Sequence, residues 1–283
     1  MADIKRFNQM VMNANTQQYL ASVLGERKGE FVNNLTAVVT NDAKLQACEP
    51  LTLLYAALKA TALRLPLDQN LGQAYIVPYK NNKIGKTEAQ FQIGYKGFVQ
   101  LSIRSGQFAA INATDIREGE LQGFNLMTGE IKCEALPNRD ELPIIGYLAY
   151  FRLTNGFEKS LYMTAEEIEK HATRYSQSYR GKYKDSSLWA TDKEQMAKKT
   201  VLKLLLNRFA PLSVDMFNAV QADQSVIKGN GKLDYVDNSK SQLTELAESA
   251  MVEDAEVEEI ADNVQEIASD DEKTAKDSGT LFN

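Results

Sequence analysis

The chain has 283 residues, 43% of them hydrophobic and 25% charged, which excludes collagen-like, mucin-like and wholly disordered polymers. Its formal charge of −6, from 32 basic and 38 acidic side chains, argues at first sight against a nucleic-acid protein. The average hides a division: residues 229–283 carry four lysines against fifteen acidic groups, a balance of −11, while residues 1–228 carry 28 basic against 23 acidic groups, a balance of +5.

The first ~65 residues repeat their apolar positions at helical spacing. The clearest helix is Leu51–Leu65, rich in Leu and Ala and stopped before Pro66. Gln73–Tyr79 and Glu88–Ile93 then alternate in the manner of strands, joined by the polar segment Lys80–Thr87 as a hairpin loop. A short helix is expected from Tyr95 to Ser105, ended by Gly106. Strand-like runs follow at Ala109–Ile116, Leu121–Met127, Gly129–Cys133, Ile144–Leu153 and Glu158–Met163. Thr164-Ala-Glu-Glu is a capping-box signature for a helix toward Tyr175. After a basic loop at Arg174–Ser186, the longest helix is expected over Leu188–Phe209. The composition breaks at Lys228-Gly-Asn-Gly-Lys232, read as a linker. Beyond it, Leu243, Leu246, Ala250, Val257, Ile260, Val264 and Ile267 recur at helical spacing in an acidic background. The division expected is a body over residues 1–228 and, over 229–283, a linker with an acidic tail, partly helical and partly disordered.

Other chemistry finds little support. No stretch approaches the ~20 apolar residues that span a bilayer. No apolar run follows the charges between Met1 and Arg6, so no secretory leader is expected. Cys48 and Cys133 form neither a disulfide framework nor a metal-ligand pair, which fits a reducing cytoplasm. His171 sits beside Lys170 on a predicted helix and reads as surface or core edge. Gly85-Lys86-Thr87 imitates the end of a phosphate-binding P-loop, but the first glycine of that motif would fall on Lys80, and no helix N-terminus follows; ATP hydrolysis is rejected. Asp115 with Glu130 and Lys132 has the loose form of a metal-dependent nuclease site, if two neighbouring strands present both carboxylates.

The positive charge is placed more tellingly. In the helix Tyr95–Ser105, Lys96, Gln100 and Arg104 share one stripe, with Phe98, Val99, Leu101 and Ile103 on the apolar side, and Gln107 in the turn that follows. The long helix carries Lys193, Lys198, Lys199, Lys203 and Arg208. No carboxylate follows Glu194 until Asp215, so its lysines read as unpaired and in want of an external anion. Between them, Arg174, Arg180, Lys182 and Lys184 interleave with Tyr175, Tyr179, Tyr183 and Trp189, the combination of cations for phosphates and rings for bases that suits a single strand.

At these residues the sequence resembles a known family. Gln92-Ile-Gly-Tyr-Lys-Gly-Phe-Val-Gln-Leu-Ser-Ile-Arg-Ser-Gly106 is similar to the GY(K/R)G…RSG signature of RecT-family single-strand annealing proteins of phages and prophages. Pro66–Tyr79 resembles the segment leading into that family's first hairpin. Trp189–Thr200 with Leu206–Ser213 resembles its W…EMAKKT…R…P.S helix, with Gln195 where the motif often has Glu. The resemblance covers roughly residues 40–222. It implies an α+β fold with a Rad52-like β-β-β-α annealing core, to which the residues themselves add N-terminal helices, extra strands, a long basic helix and the acidic helical tail. It implies an ATP-independent recombinase that coats single-stranded DNA, anneals it to a complementary strand and assembles into rings or helical filaments. A 5′→3′ exonuclease and a host single-strand-binding protein are the partners expected, through the tail. No cofactor is required, with Mg²⁺ at most modulating DNA binding.

The DNA contacts implied by the resemblance are Tyr95, Lys96, Gly97, Arg104 and Ser105 from the first motif, and Trp189, Lys198, Lys199, Lys203 and Arg208 from the last. Gln100, Gln107, Arg180 and Lys182 join them from the basic stripe and loop, and Lys80 and Lys86 from the hairpin. Two rival readings remain: the nuclease, and an adaptor acting through its acidic tail.

Overall fold

Helix-forming sequence opens the chain, and several of its helices start at residues suited to the task. A computed structural model describes residues 2–82, 84–125, 127–181, 184–211, 213–228 and 232–234. Helix α1 spans Ala2–Met12. Helix α2, Ala14–Leu24, is capped by the Asn13 side chain, which accepts the Asn15 N–H. Helix α3 spans Lys28–Asn41, and Asp42 caps the short α4, Ala43–Gln46. Helix α5, Pro50–Ala62, has proline at its first position, where the missing N–H is harmless. It stops three residues short of the expected Leu65. Phe7, Leu20, Leu35, Leu45, Leu53 and Leu54 are fully buried where these helices pack.

The alternating segments form the expected hairpin. Strands β1, Ala74–Asn81, and β2, Lys86–Ile93, pair antiparallel from Ala74↔Ile93 to Asn81↔Lys86. Helix α6, Tyr95–Arg104, follows after the single residue Gly94. A second sheet has the order β3-β6-β7, from Phe108–Arg117, Ile144–Leu153 and Glu158–Thr164. Between its first two strands, β4, Leu121–Phe124, and β5, Ile131–Cys133, make a separate small hairpin. The Thr164 capping box is present in full and starts α7, Ala165–Tyr175.

The long helix departs from expectation. Residues 188–209 form α9, Leu188–Thr191, and α10, Lys193–Phe209, separated by Asp192 in a non-helical conformation, after the short α8, Gln177–Arg180. Thr191 and Asp192 are both weak helix formers, and Asp favours the position ahead of a first turn. Helix α10 packs on β3, β6, β7 and α6 and buries Val201, Leu202, Leu205 and Leu206.

Helix α11, Val214–Ala222, leads into β8, Val226–Ile227, and β9, Leu233–Asp234. The chain there lies against the free edge of β2: Phe91 N–H donates to the Ser225 carbonyl at 2.9 Å, and Gln224 N–H to the Phe91 carbonyl at 2.8 Å. The segment Lys228–Lys232, read as a linker, is bracketed by these paired strands. The tail positions from Leu243 to Ile267, read as helical, lie outside the described residues. Among the described residues no helix is long and apolar enough to cross a membrane. The architecture is α+β with antiparallel sheets.

Candidate nucleic-acid interface

Helix α6 is held against the hairpin base by close backbone approach. A Cβ on Gly94 would lie 2.1 Å from the Gly72 carbonyl oxygen, and one on Gly97 would lie 2.1 Å from that of Gln73. Gly97, expected among the DNA contacts, is buried, and its lack of a side chain serves this packing. At the other end, the Arg104 guanidinium donates to the Leu63 carbonyl at 2.6 Å and to the Arg64 carbonyl at 3.2 Å. Ser105 turns inward, its hydroxyl donating to the Ser102 carbonyl at 2.7 Å.

Between these clamps α6 presents a solvent-facing stripe. Lys96 is exposed, lies alongside Gly72 and has no ion-pair partner among the described residues. Tyr95 and Gln100 are half-buried beside it. Ile103, expected on the apolar side, is 58% exposed. It follows Gln100 by three residues and so belongs to the stripe's own face.

The lysines of α10 behave differently, which corrects the reading of them as unpaired. Lys198 meets Asp115 at 3.1 Å and Glu194 at 3.8 Å. Lys199 is only 6% exposed and lies 3.5 Å from Asp223, while Lys203 lies 2.7 Å from the same carboxylate. Asp223 also accepts the Ile93 N–H at 2.8 Å, directly before α6. Burial would raise the Asp223 carboxyl, but Lys199 and Lys203 outweigh it and hold the group low; burial pushes the Lys199 ammonium down. The local sequence hid Asp223 because it lies beyond α11, a full helix away.

Trp189 is also misread by its surroundings. It is 6% exposed and packs against Tyr179, with ring centroids 6.3 Å apart, so it is not placed to stack on a base. The Tyr179 hydroxyl is taken by Glu169, and Lys184 sits over the Tyr179 ring. Arg180 is exposed; Lys182 lies outside the described residues. On the hairpin, Lys80 is exposed near the tip, roughly 20 Å along β1 from the α6 end. Lys86 shares Glu49 with Arg6, at 3.1 and 3.5 Å. Gln107, after α6, and Arg208, near the end of α10, are both exposed and line a cleft of about 530 Å³ with Thr154 and Asn155.

The nuclease pairing is not formed. Asp115 is buried and faces Arg117 at 2.8 Å, Arg139 at 3.2 Å and Lys198. Burial tends to raise its carboxyl, but the hydrogen bonds from Arg117 and Lys198 prevail and hold it down to about 2. Glu130 precedes β5 on the other sheet, is exposed and lies 3.9 Å from Lys132. The strand beside β3 is β6, so the two carboxylates do not share neighbouring strands. His171 is half-buried, its ring 4.5 Å from that of Tyr175, and burial first, then Lys203 and Arg174, lowers it to about 4.

The sequence matches the RecT family over residues 29–240. The chain belongs to the RecT family. Across 198 residues it is 42% identical to YqaK of Bacillus subtilis (strain 168), a protein itself named as uncharacterized; the match takes in 70% of this chain and 65% of that protein, just under two thirds of its length. It is also 30% identical to Protein RecT of Escherichia coli (strain K12) over 206 residues, 68% of this chain and 73% of that one. The matched span contains α6, the Asp223 clamp and α10.

Proposed function

We propose that this protein binds single-stranded DNA and anneals it to a complementary strand, without ATP, as a recombination protein. The observation that carries the reading is the stripe of exposed Lys96 and half-buried Gln100 on a helix clamped at both ends, within the span that matches the RecT family. A row of cationic and amide donors follows a phosphate backbone and reads no base edge, so sequence is checked by Watson–Crick pairing alone. Lys96, Gln100, Gln107 and Arg208 are the proposed phosphate contacts of the groove, with Lys80 and Arg180 as outlying ones. Gly97, Trp189, Lys199 and Lys203 build the platform.

The core is proposed to be Rad52-like, with β3, β6, β7 and the helices after them in that role. Self-association into rings or filaments is proposed through α1 and α2, where Met12, Tyr19 and Val23 are 70%, 46% and 52% exposed. A 5′→3′ exonuclease and a single-strand-binding protein are the proposed partners of residues 229–283, in a bacterial cytoplasm.

The test loads the protein on a labelled oligonucleotide, adds the complement without nucleotide, and follows quenching with and without Mg²⁺. Annealing faster than the spontaneous rate, with oligonucleotide length preserved, is expected. No acceleration, or shortening of the DNA in Mg²⁺, overturns the reading.

A further inference from the structure

The turn between α5 and β1 carries an unusual residue. Leu65 N–H donates to the Ala60 carbonyl at 2.9 Å and Arg64 N–H to the Thr61 carbonyl at 3.0 Å, which is the paired closure of a Schellman motif. That motif needs a left-handed residue just past the helix cap, normally glycine. Here it is Arg64, with φ of 54°. A long side chain is rarely held in this region, and such outliers gather where function requires them. Among the described residues Gln224 alone shares this condition outside glycine, with φ of 65°. It adjoins Asp223, so the two strained positions flank the two clamps of α6.

The Arg64 side chain is exposed and has no partner among the described residues, although its carbonyl accepts from Arg104. It lines a groove of about 510 Å³ with Arg27, Lys59, Tyr55 and Thr61, and no acidic side chain among the described residues lines it; Lys228, also in the lining, is paired with Glu88. Arg104 is already committed. Two of its nitrogens cap the carbonyls of Leu63 and Arg64, the end of α5 that would otherwise lack donors. Of the two arginines, Arg104 is fixed to backbone, while Arg64 has no counter-ion among the described residues and lines a groove with Arg27 and Lys59. Cations gathered along one groove call for an anion, and a guanidinium suits phosphate oxygens.

We propose that Arg64 is a phosphate contact for the bound DNA strand, and that Arg104 is a positioning residue that displays it. The strand path then runs from the α6 stripe across the end of α5 toward Lys59 and Arg27. This rests on the proposed binding of single-stranded DNA.

Affinity of the full-length protein for an oligothymidine is measured as a function of salt. Arg64→Gly removes the cation while supplying the residue the backbone prefers. It is expected to leave the thermal midpoint unchanged or raised, to weaken binding about five-fold at 0.1 M salt, and to lower the salt slope by about 0.7, the share of one phosphate on a single strand. Arg64→Lys restores the slope. Arg104→Gln weakens binding in the wild-type background but changes affinity less than two-fold in the Arg64→Gly background, because it acts through Arg64. Wild-type slope and affinity in Arg64→Gly overturn the contact, and additive loss in the double variant overturns the positioning role. Absence of binding by the wild-type protein at low salt would instead overturn the single-strand reading on which both rest.

Discussion

Helices α6 and α10 carry the same kind of sequence, cations on a helix with an apolar back, and the fold uses them in opposite ways. Lys96 on α6 faces solvent with no acidic partner among the described residues. On α10, Lys198 faces Asp115, and Lys199 and Lys203 face Asp223. A lysine with an internal counter-ion has no condensed ions to displace from DNA, whereas Lys96 has its whole charge to offer. The contrast therefore separates a cation free to meet an external anion from cations that hold the fold together. Asp223 joins the two helices, since it is neutralised by α10 while it holds the Ile93 N–H ahead of α6.

Removing that joint is the harshest way to break the contrast. Asp223→Ala strips the anion from a buried and a half-buried lysine and the acceptor from Ile93 N–H. A buried pair broken on one side loses about 3–5 kcal/mol, read as a lower midpoint in urea. Lys96→Ala, a surface change, stays within about 0.5 kcal/mol of wild type. Equal midpoints for the two variants would place α10 in the same class as α6.

Much of this was legible in the sequence because it depends on neighbours. The hairpin, α6, the strand Ile144–Leu153 and the Thr164 capping box follow from alternation, helical spacing and a four-residue cap, and the structure has them at those places. The unread part lies in long-range contacts. Nothing near Lys203 announces that Asp223 folds back beneath it. Nothing near Trp189 shows that Tyr179 covers it. Arg64 carries no residue-type signature, since the Schellman position it fills is normally glycine: only its backbone angle and the Arg104 contacts set it apart. Charge and aromatic content locate the face of a helix, while the counter-ion that decides its role comes from elsewhere in the fold.

Acid sharpens the contrast on the α10 side, because His171 is held down to about 4 by burial, Lys203 and Arg174. An unfolded histidine titrates near 6.5. Below that pH the unfolded chain binds a proton that the folded one refuses until about 4, so stability is complete above 6.5 and is lost as pH falls through this window. Between pH 7 and pH 5 the expected loss is about 2 kcal/mol, followed by urea denaturation at each pH. His171→Gln flattens that part of the profile. A wild-type profile already flat over this range would mean that the imidazole takes up its proton in the folded protein.

The smallest effect is also the most direct probe of the contrast. Lys96→Gln and Lys198→Gln each remove one positive charge from a motif helix, so the total charge of the two variants is the same. If proximity to DNA alone mattered, their salt slopes would fall together. The geometry predicts otherwise. Lys96→Gln gives up the proposed phosphate contact, lowering the slope by about 0.7 and the affinity roughly five-fold at 0.1 M salt, near 1 kcal/mol. Lys198→Gln leaves Asp115 with Arg117 and Arg139, at 2.8 and 3.2 Å, so the fold retains its buried anion and the slope stays at the wild-type value. A fall in slope for Lys198→Gln would require its ammonium to leave Asp115 for the DNA, and the two helices would then act as one phosphate-binding surface.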